Sequence, residues 1–362
     1  IAGNISSDTS APLDLILKSY ESILVSASST VHVRNINVEA PTISVAGNLN
    51  AYGSTHQDSS PFMALFGARI SIAGNLRSGS KQNSGRILIK GTNEIAINSS
   101  AKIITEGHEG GSVIMQSEYG SISLLGTIMT NGENGRGGTI DIDAHHSFIA
   151  QDANLFANGL TDGGSIVVLS RHGDVNFQQS FIQTNGGAGV GGTILLSGVN
   201  NTYISSTEIS ATGEVKGGTI KVGNDLAGQR VPFSKYLEVD ILSSINASQI
   251  NPNQKNYQGG FIETSAHTVN LLGSINAGRG GMWLLDPFDI VIDATKAGYI
   301  KTVLDAGSSV TITTTSDTNT VGENSISGSS GNGDITINAA ISSSGVGASL
   351  TLTAANEIYV NQ

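Results

Sequence analysis

The chain has 362 residues, with 18 Lys and Arg against 29 Asp and Glu, a formal net charge of −11 at pH 7, and no cysteine. No cysteine means no disulfides, no thiolate metal sites and no thiol catalysis, and the lack of a basic cluster argues against nucleic acid or an anionic membrane surface as partner. Charged residues are 13%, aromatics 5%, glycines 46 and prolines 6, and no apolar run approaches the ~18 residues of a membrane-spanning helix.

From the amino terminus the chain repeats itself. "IAGNISS" opens it, "VAGNLNAYGS" follows at 45–54 and "IAGNLRSGS" at 72–80. Ser84-Gly85 precedes "RILIK". Gly-Gly pairs then begin at Gly110, Gly137, Gly163, Gly191 and Gly217, in steps of 26 to 28 residues. Self-similarity at such a period is the signature of a solenoid or array.

Each unit reads as three short strands, for example "GGSIVVLS", "GDVNF" and "SFIQTNG". Aliphatic residues alternate with Ser, Thr, Asn, Asp and Gln, which buries one face of each strand. A propeller blade needs ~40 residues or more, so this unit is too short for one. The spacing predicts an all-β fold, a parallel β-helix whose inward side chains stack along the axis. The glycine pairs are expected to supply positive φ angles and close coil-to-coil contact at the corners. Kept throughout, the period makes a rod of ~13 coils, ~65 Å long.

The rhythm breaks between Gly217 and Gly259. Pro232 and Pro252 lie there, and two loops are expected to leave the rod around "SKYLEVDILSSINAS". Next comes "GMWLLDPFDIVID" with the only tryptophan, Trp283. In "ATKAGYIKTVLDAG", Ile300, Val303 and Leu304 have helical spacing and Gly307 is a stop signal. Strands resume at "SSVTITTT", a polar loop fills 316–334, and "ITINAAISSSG" and "ASLTLTAANEIYVNQ" rebuild the coil. The reading is a regular shaft at 1–216, a segment with loops and the Trp-Leu-Leu-Asp-Pro motif at 217–290, and terminal coils at 291–362 that continue into a longer chain.

Three stretches carry a family resemblance. They are Gly217, Gly218, Ile220, Val222, Gly223 and Asp225; then Glu263, Thr264 and Ser265; then Trp283, Leu284, Leu285, Asp286 and Pro287. Together they resemble the filamentous-haemagglutinin-type exoproteins of two-partner secretion, specifically over 217–362 and only in repeat style over 1–216. Asn224 and Ala266 stand where that family usually has glycine, and Phe288 where a polar residue is common. The resemblance implies a right-handed parallel β-helix and export through an outer-membrane pore partner. It also implies an adhesin or matrix fibre at the cell surface, with a host or matrix glycan or protein as ligand.

The residues themselves offer little chemistry. Asp141, Asp143 and His145 in "TIDIDAHH" alternate onto one face and are the best carboxylate cluster for a polysaccharide-processing enzyme. The next coils place Val167, Leu169 and Leu195 at those positions, so no acidic ladder continues. The adjacent His145 and His146 are expected to point to opposite sides of a strand, which leaves too few ligands for a metal. Glu106, His108 and Glu109 form a second small polar cluster. No Gly-x-Ser-x-Gly elbow and no cofactor motif appears, and Trp283 is expected to be buried beside Pro287. The reading is a non-enzymatic adhesin or matrix fibre without cofactor or metal. A filament that self-associates end to end through unpaired strands and a β-helical polysaccharide enzyme are the alternatives.

Overall fold

The computed structural model describes residues 1–7, 13–52, 60–224, 233–251, 258–314 and 331–361. The sequence period is realised as a coil of three strands. In one coil these are Thr139–Ala144, Phe148–Gln151 and Asn154–Phe156. In the next they are Ser165–Ser170, Val175–Gln178 and Phe181–Gln183, each parallel to and in register with its counterpart. The chain is thus a parallel β-helix with three long sheets, here called first, second and third in the order each coil visits them.

The first sheet runs from Asp14–Lys18 to Leu350–Thr353 as thirteen paired rungs among the described residues. At ~4.8 Å per rung it extends ~58 Å. The third sheet has eleven strands, from Ile5–Ser6 to Ser274–Asn276. Phe62–Ile72, Arg86–Ile97 and Phe261–Leu271 are single strands that run through the corner from first sheet to second.

Inward residues stack by type. Ile87, Val113, Ile140, Ile166, Ile194, Ile220 and Ile262 form one axial column, all buried. Parallel pairing without slippage follows, because a one-residue shift would turn this column outward. One corner is lined inside by hydroxyls: Ser180 Oγ accepts from Ala153 N at 3.2 Å, Thr207 Oγ1 from Ser180 N at 3.3 Å and Ser243 Oγ from Thr207 N at 3.1 Å. Ser180 and Thr207 also donate to carbonyls and Ser243 to Asp240 Oδ1, so the buried hydroxyls are satisfied.

The glycine pairs act through space and not through φ. None from Gly110 to Gly218 has a positive φ. A Cβ on Gly164 would lie 2.1 Å from Gly138 O, and one on Gly138 would lie 2.1 Å from Gly111 O. Backbone packs on backbone there, coil against coil. The left-handed conformation instead falls on Asp152, Gln179 and Ser206, with φ of 51°, 51° and 48°. These occupy equivalent corners of three successive coils.

After Met282–Asp286 the geometry changes. The second and third sheets have ended, and Ile290–Ile292 starts a three-stranded sheet with Ile335–Ile337 and Ile358–Val360. A helix, α1 at Ala294–Asp305, packs on the last strand of the third sheet. Asp293 caps it by accepting from Lys296 N at 2.9 Å, and Ala297, Ile300, Val303 and Leu304 are its buried side. Gly307, with φ +81°, ends the turn that follows. Pro232, Pro252 and most of the polar stretch 316–334 lie outside the described residues.

Candidate functional site

A long opening follows the outer corner between first and second sheets. It follows one outward column at the corner end of the first sheet: Lys18, Glu39, Phe66, Lys90, Gln116 and Asp143 are successive register partners. Small or turning residues follow them at the corner, including Pro41, Gly67 and Gly91, so the wall steps inward. The result is a groove of ≈980 Å³ that crosses seven rungs, from Lys18 to Arg171. Six inter-rung steps make it ~29 Å long. Past Asp143 the column continues to Leu169, where the polar lining stops. Leu169 and Leu195 pack there with Val167 and Val199 as a small apolar cluster outside the barrel.

Four of the six charges in the groove form two ion pairs. Lys18 Nζ lies 2.8 Å from Glu39 Oε2. Arg171 clasps Asp143 with both ends of its fork, Nε donating to Oδ1 at 2.8 Å and Nη2 to Oδ2. Asp143 is only 4% exposed although its strand position faces outward; the guanidinium that covers it also neutralises it.

Rings stack beside this pair, one rung apart. His145 sits 5.9 Å from Tyr119 and 4.5 Å from His172, centroid to centroid. Burial holds His145 below the usual imidazole range, and His172, His146 and Arg171 push the same way. At neutral pH it is therefore an uncharged ring.

The structure thus divides the trio read from the sequence. Asp141 and Asp143 do share the outward face of Thr139–Ala144, but Asp143 is committed to Arg171. His145 and His146 do not point to opposite sides. The strand ends at Ala144, alternation ends with it, and the two rings meet edge-on at 4.9 Å. Among the described residues no group of three or more His, Asp or Glu is arranged to hold a metal. In the other polar cluster, Glu106 pairs with Arg77 at 2.7 Å, and Glu109 accepts from Arg136 N at 2.7 Å.

The groove's other members were not legible as a site. Lys18, Tyr20, Glu39, Phe66, Lys90 and Arg171 are far apart in sequence and come together only through the rung register. Their signal is the column spacing itself, which is visible only once strand ends are known.

The family-motif residues stack on three successive first-sheet rungs. Gly217 and Gly218 sit where a Cβ would meet Ala247 O at 1.7 Å and Gly192 O at 2.2 Å. Glu263, nearly buried, takes Lys221 Nζ at 2.8 Å, Asn224 Nδ2 at 2.8 Å and Ser265 Oγ at 3.1 Å. Trp283 continues the axial column above Ile262 and donates its indole N–H to Thr264 Oγ1 at 3.0 Å. Asp286 pairs with Ser265 in the register. Asp225 lies outside the described residues. Pro287 lines a smaller cavity of ≈380 Å³ beneath α1, where Phe288 stacks on His267 at 4.0 Å.

Fold and groove define a parallel β-helix with a lengthwise furrow on one corner. No family model matches the chain, and no curated protein or solved structure matches it either.

Proposed function

We propose that this chain is a shaft segment of a secreted or cell-surface rod of the filamentous-haemagglutinin type, non-enzymatic, acting in attachment or aggregation. The observation that supports this reading is the corner groove: an open furrow across seven rungs of an unbroken parallel stack. A scaffold of this kind holds many equivalent outward positions at a fixed spacing, which suits repeated weak contacts that sum to avidity. Of the three carboxylates in the furrow, Glu39 and Asp143 are each paired with a cation. Glu39 and Asp143 lie four rungs apart, ~19 Å, beyond the ~5–9.5 Å between the two carboxyls of a glycosidase, and Glu118 sits one rung from Asp143, whose carboxylate Arg171 already holds. Export through an outer-membrane pore rests on the motif resemblance at 217–287.

The test is adhesion. Beads coated with the whole chain are expected to bind cells or extracellular matrix above an uncoated control, in proportion to coating density. Release of new reducing ends from a polysaccharide by the purified chain would overturn the reading in favour of an enzyme.

A further inference from the structure

The charge balance of the groove narrows its ligand. Three cations line it, Lys18, Lys90 and Arg171, against three carboxylates, Glu39, Glu118 and Asp143. Four of these six neutralise one another in pairs. The groove therefore carries no net charge, on a chain whose total is −11. A polyanion finds no excess of cations there and is repelled by the rest of the surface.

The backbone narrows it further. Extended peptides commonly bind by adding a strand to an open sheet edge. Along this corner the main chain is already used between coils: Ala40 N donates to Phe66 O, Glu118 N to Gly91 O and Arg171 N to Ala144 O. The groove also runs across the strands, not beside one. Recognition there falls to side chains alone.

Those side chains are rings and polar forks. Tyr20 is fully exposed at one end of the groove. Tyr119, 58% exposed, is not itself in the lining but packs against it toward the other end, 5.9 Å from His145. Phe66 lies half-buried between them. Arg171, held in place by the buried Asp143, offers donors, and Gln116, on the rung next to Asp143, offers both donor and acceptor. Ring faces suit the C–H faces of sugars, and paired donors and acceptors suit their hydroxyls, with no charge required of the ligand.

We propose that this corner groove binds an extended, uncharged glycan laid along the rod axis. Tyr20 and, from beside the lining, Tyr119 stack on its sugar faces, and Arg171 and Gln116 take its hydroxyls. This inference rests on the attachment reading and gives it a ligand class.

The experiment is calorimetric titration of the whole chain with cellohexaose, xylohexaose, mannohexaose and laminarihexaose, and with their trimers. Heparin, polygalacturonate and a library of extended peptides serve as contrasts. The expected result is binding of at least one neutral hexaose, about ten-fold tighter than its trimer and insensitive to salt. Tyr20→Ala and Tyr119→Ala should each weaken it about ten-fold without changing the unfolding midpoint, since both rings are exposed. The proposal is overturned if no neutral hexaose binds, if binding ignores both tyrosine substitutions, or if only polyanions or peptides bind. Bead adhesion run with the same variants separates the two readings. Adhesion that survives both substitutions and excess neutral hexaose sinks the groove proposal and leaves attachment standing. Absence of adhesion by the unsubstituted chain sinks the attachment reading, while the titration still decides the groove.

Discussion

Trp283 donates its indole N–H to Thr264 Oγ1 at 3.0 Å, one rung back in the inward column next to its own apolar one. Both side chains are buried, Trp283 at 2% exposure and Thr264 at none. A tryptophan in an apolar stack is tolerable only because its polar edge finds this hydroxyl.

Thr264→Val keeps the shape and deletes the acceptor. It should lower stability by about 1–3 kcal/mol, the cost of stranding a buried donor. Trp283→Phe should cost more through lost volume, and the double substitution should cost less than the two singles combined, because the donor is gone. Urea unfolding of the four proteins checks this; simple additivity would show that the hydrogen bond contributes nothing.

Two glycines should respond oppositely to alanine. Gly164→Ala drives a methyl to 2.1 Å from Gly138 O and 2.7 Å from Gly137 C, both backbone atoms of the coil below. The coils must separate locally, and a loss of about 3 kcal/mol or more is expected. Gly298 lies within α1 with nothing within 4 Å of its missing Cβ. Gly298→Ala should stabilise by about 0.5–1 kcal/mol through helix propensity alone. Thermal midpoints of the two variants should move in opposite directions.

The period, the three-strand coil and the outward or inward sense of most residues were legible because stacking copies one constraint into every coil. Ile140, Ile166 and Ile194 occupy one structural position and so are spelled alike. The helix was legible at Ile300, Val303 and Leu304 because its spacing departs from two. At the corners the structure separates two requirements that the sequence pattern merges, space and conformation. Gly-Gly pairs mark close approach, while left-handed φ falls on Asp152, Gln179 and Ser206, which no glycine announces. The groove was illegible for another reason: Lys18, Glu39 and Arg171 form it through register across several coils, and local spacing carries no trace of that.

Gln179 makes the left-handed corner testable. It is exposed, and its backbone adopts φ 51° at a cost of about 1 kcal/mol for a residue with a Cβ. Gln179→Asn should raise stability by a few tenths of a kcal/mol, because asparagine visits this region most readily among residues with a Cβ. Gln179→Val should lower it by about 1–2 kcal/mol, since branching at Cβ resists positive φ. The order Asn above Gln above Val in the unfolding midpoint is the expected outcome.

His145 sets one pH window. Burial lowers its pKa from 6.5, helped by His172, His146 and Arg171. The unfolded chain therefore takes up this proton more readily than the folded one. Stability is unaffected above about pH 6.5 and falls as pH drops toward the folded value. His145→Gln should flatten that slope in thermal midpoints taken between neutral and mildly acid pH, and an unchanged slope would remove His145 as its source.

Asp240 sets a second, more acid window. Burial alone would raise its pKa, but hydrogen bonds outweigh burial and hold it below 3.8. Ser243 Oγ donates at 2.6 Å, Ser206 N at 3.0 Å, Ser205 Oγ at 2.7 Å and Leu242 N at 3.1 Å. Here the folded state binds the proton more weakly than the unfolded one. The stabilisation is complete above about pH 3.8 and is lost as pH falls through the lower folded value. Asp240→Asn keeps the shape, removes the charge and replaces one acceptor with a donor facing donors. It should cost about 1.5–3 kcal/mol at pH 7. Because Ser205 and Ser206 of the preceding coil and Ser243 of its own coil hold this carboxylate, the loss should appear as faster amide exchange at 204–208 and 240–244 before global unfolding. At a pH below the folded value of Asp240, the gap between Asp240→Asn and the unsubstituted chain should close, and a gap constant with pH would assign the effect to shape instead of charge.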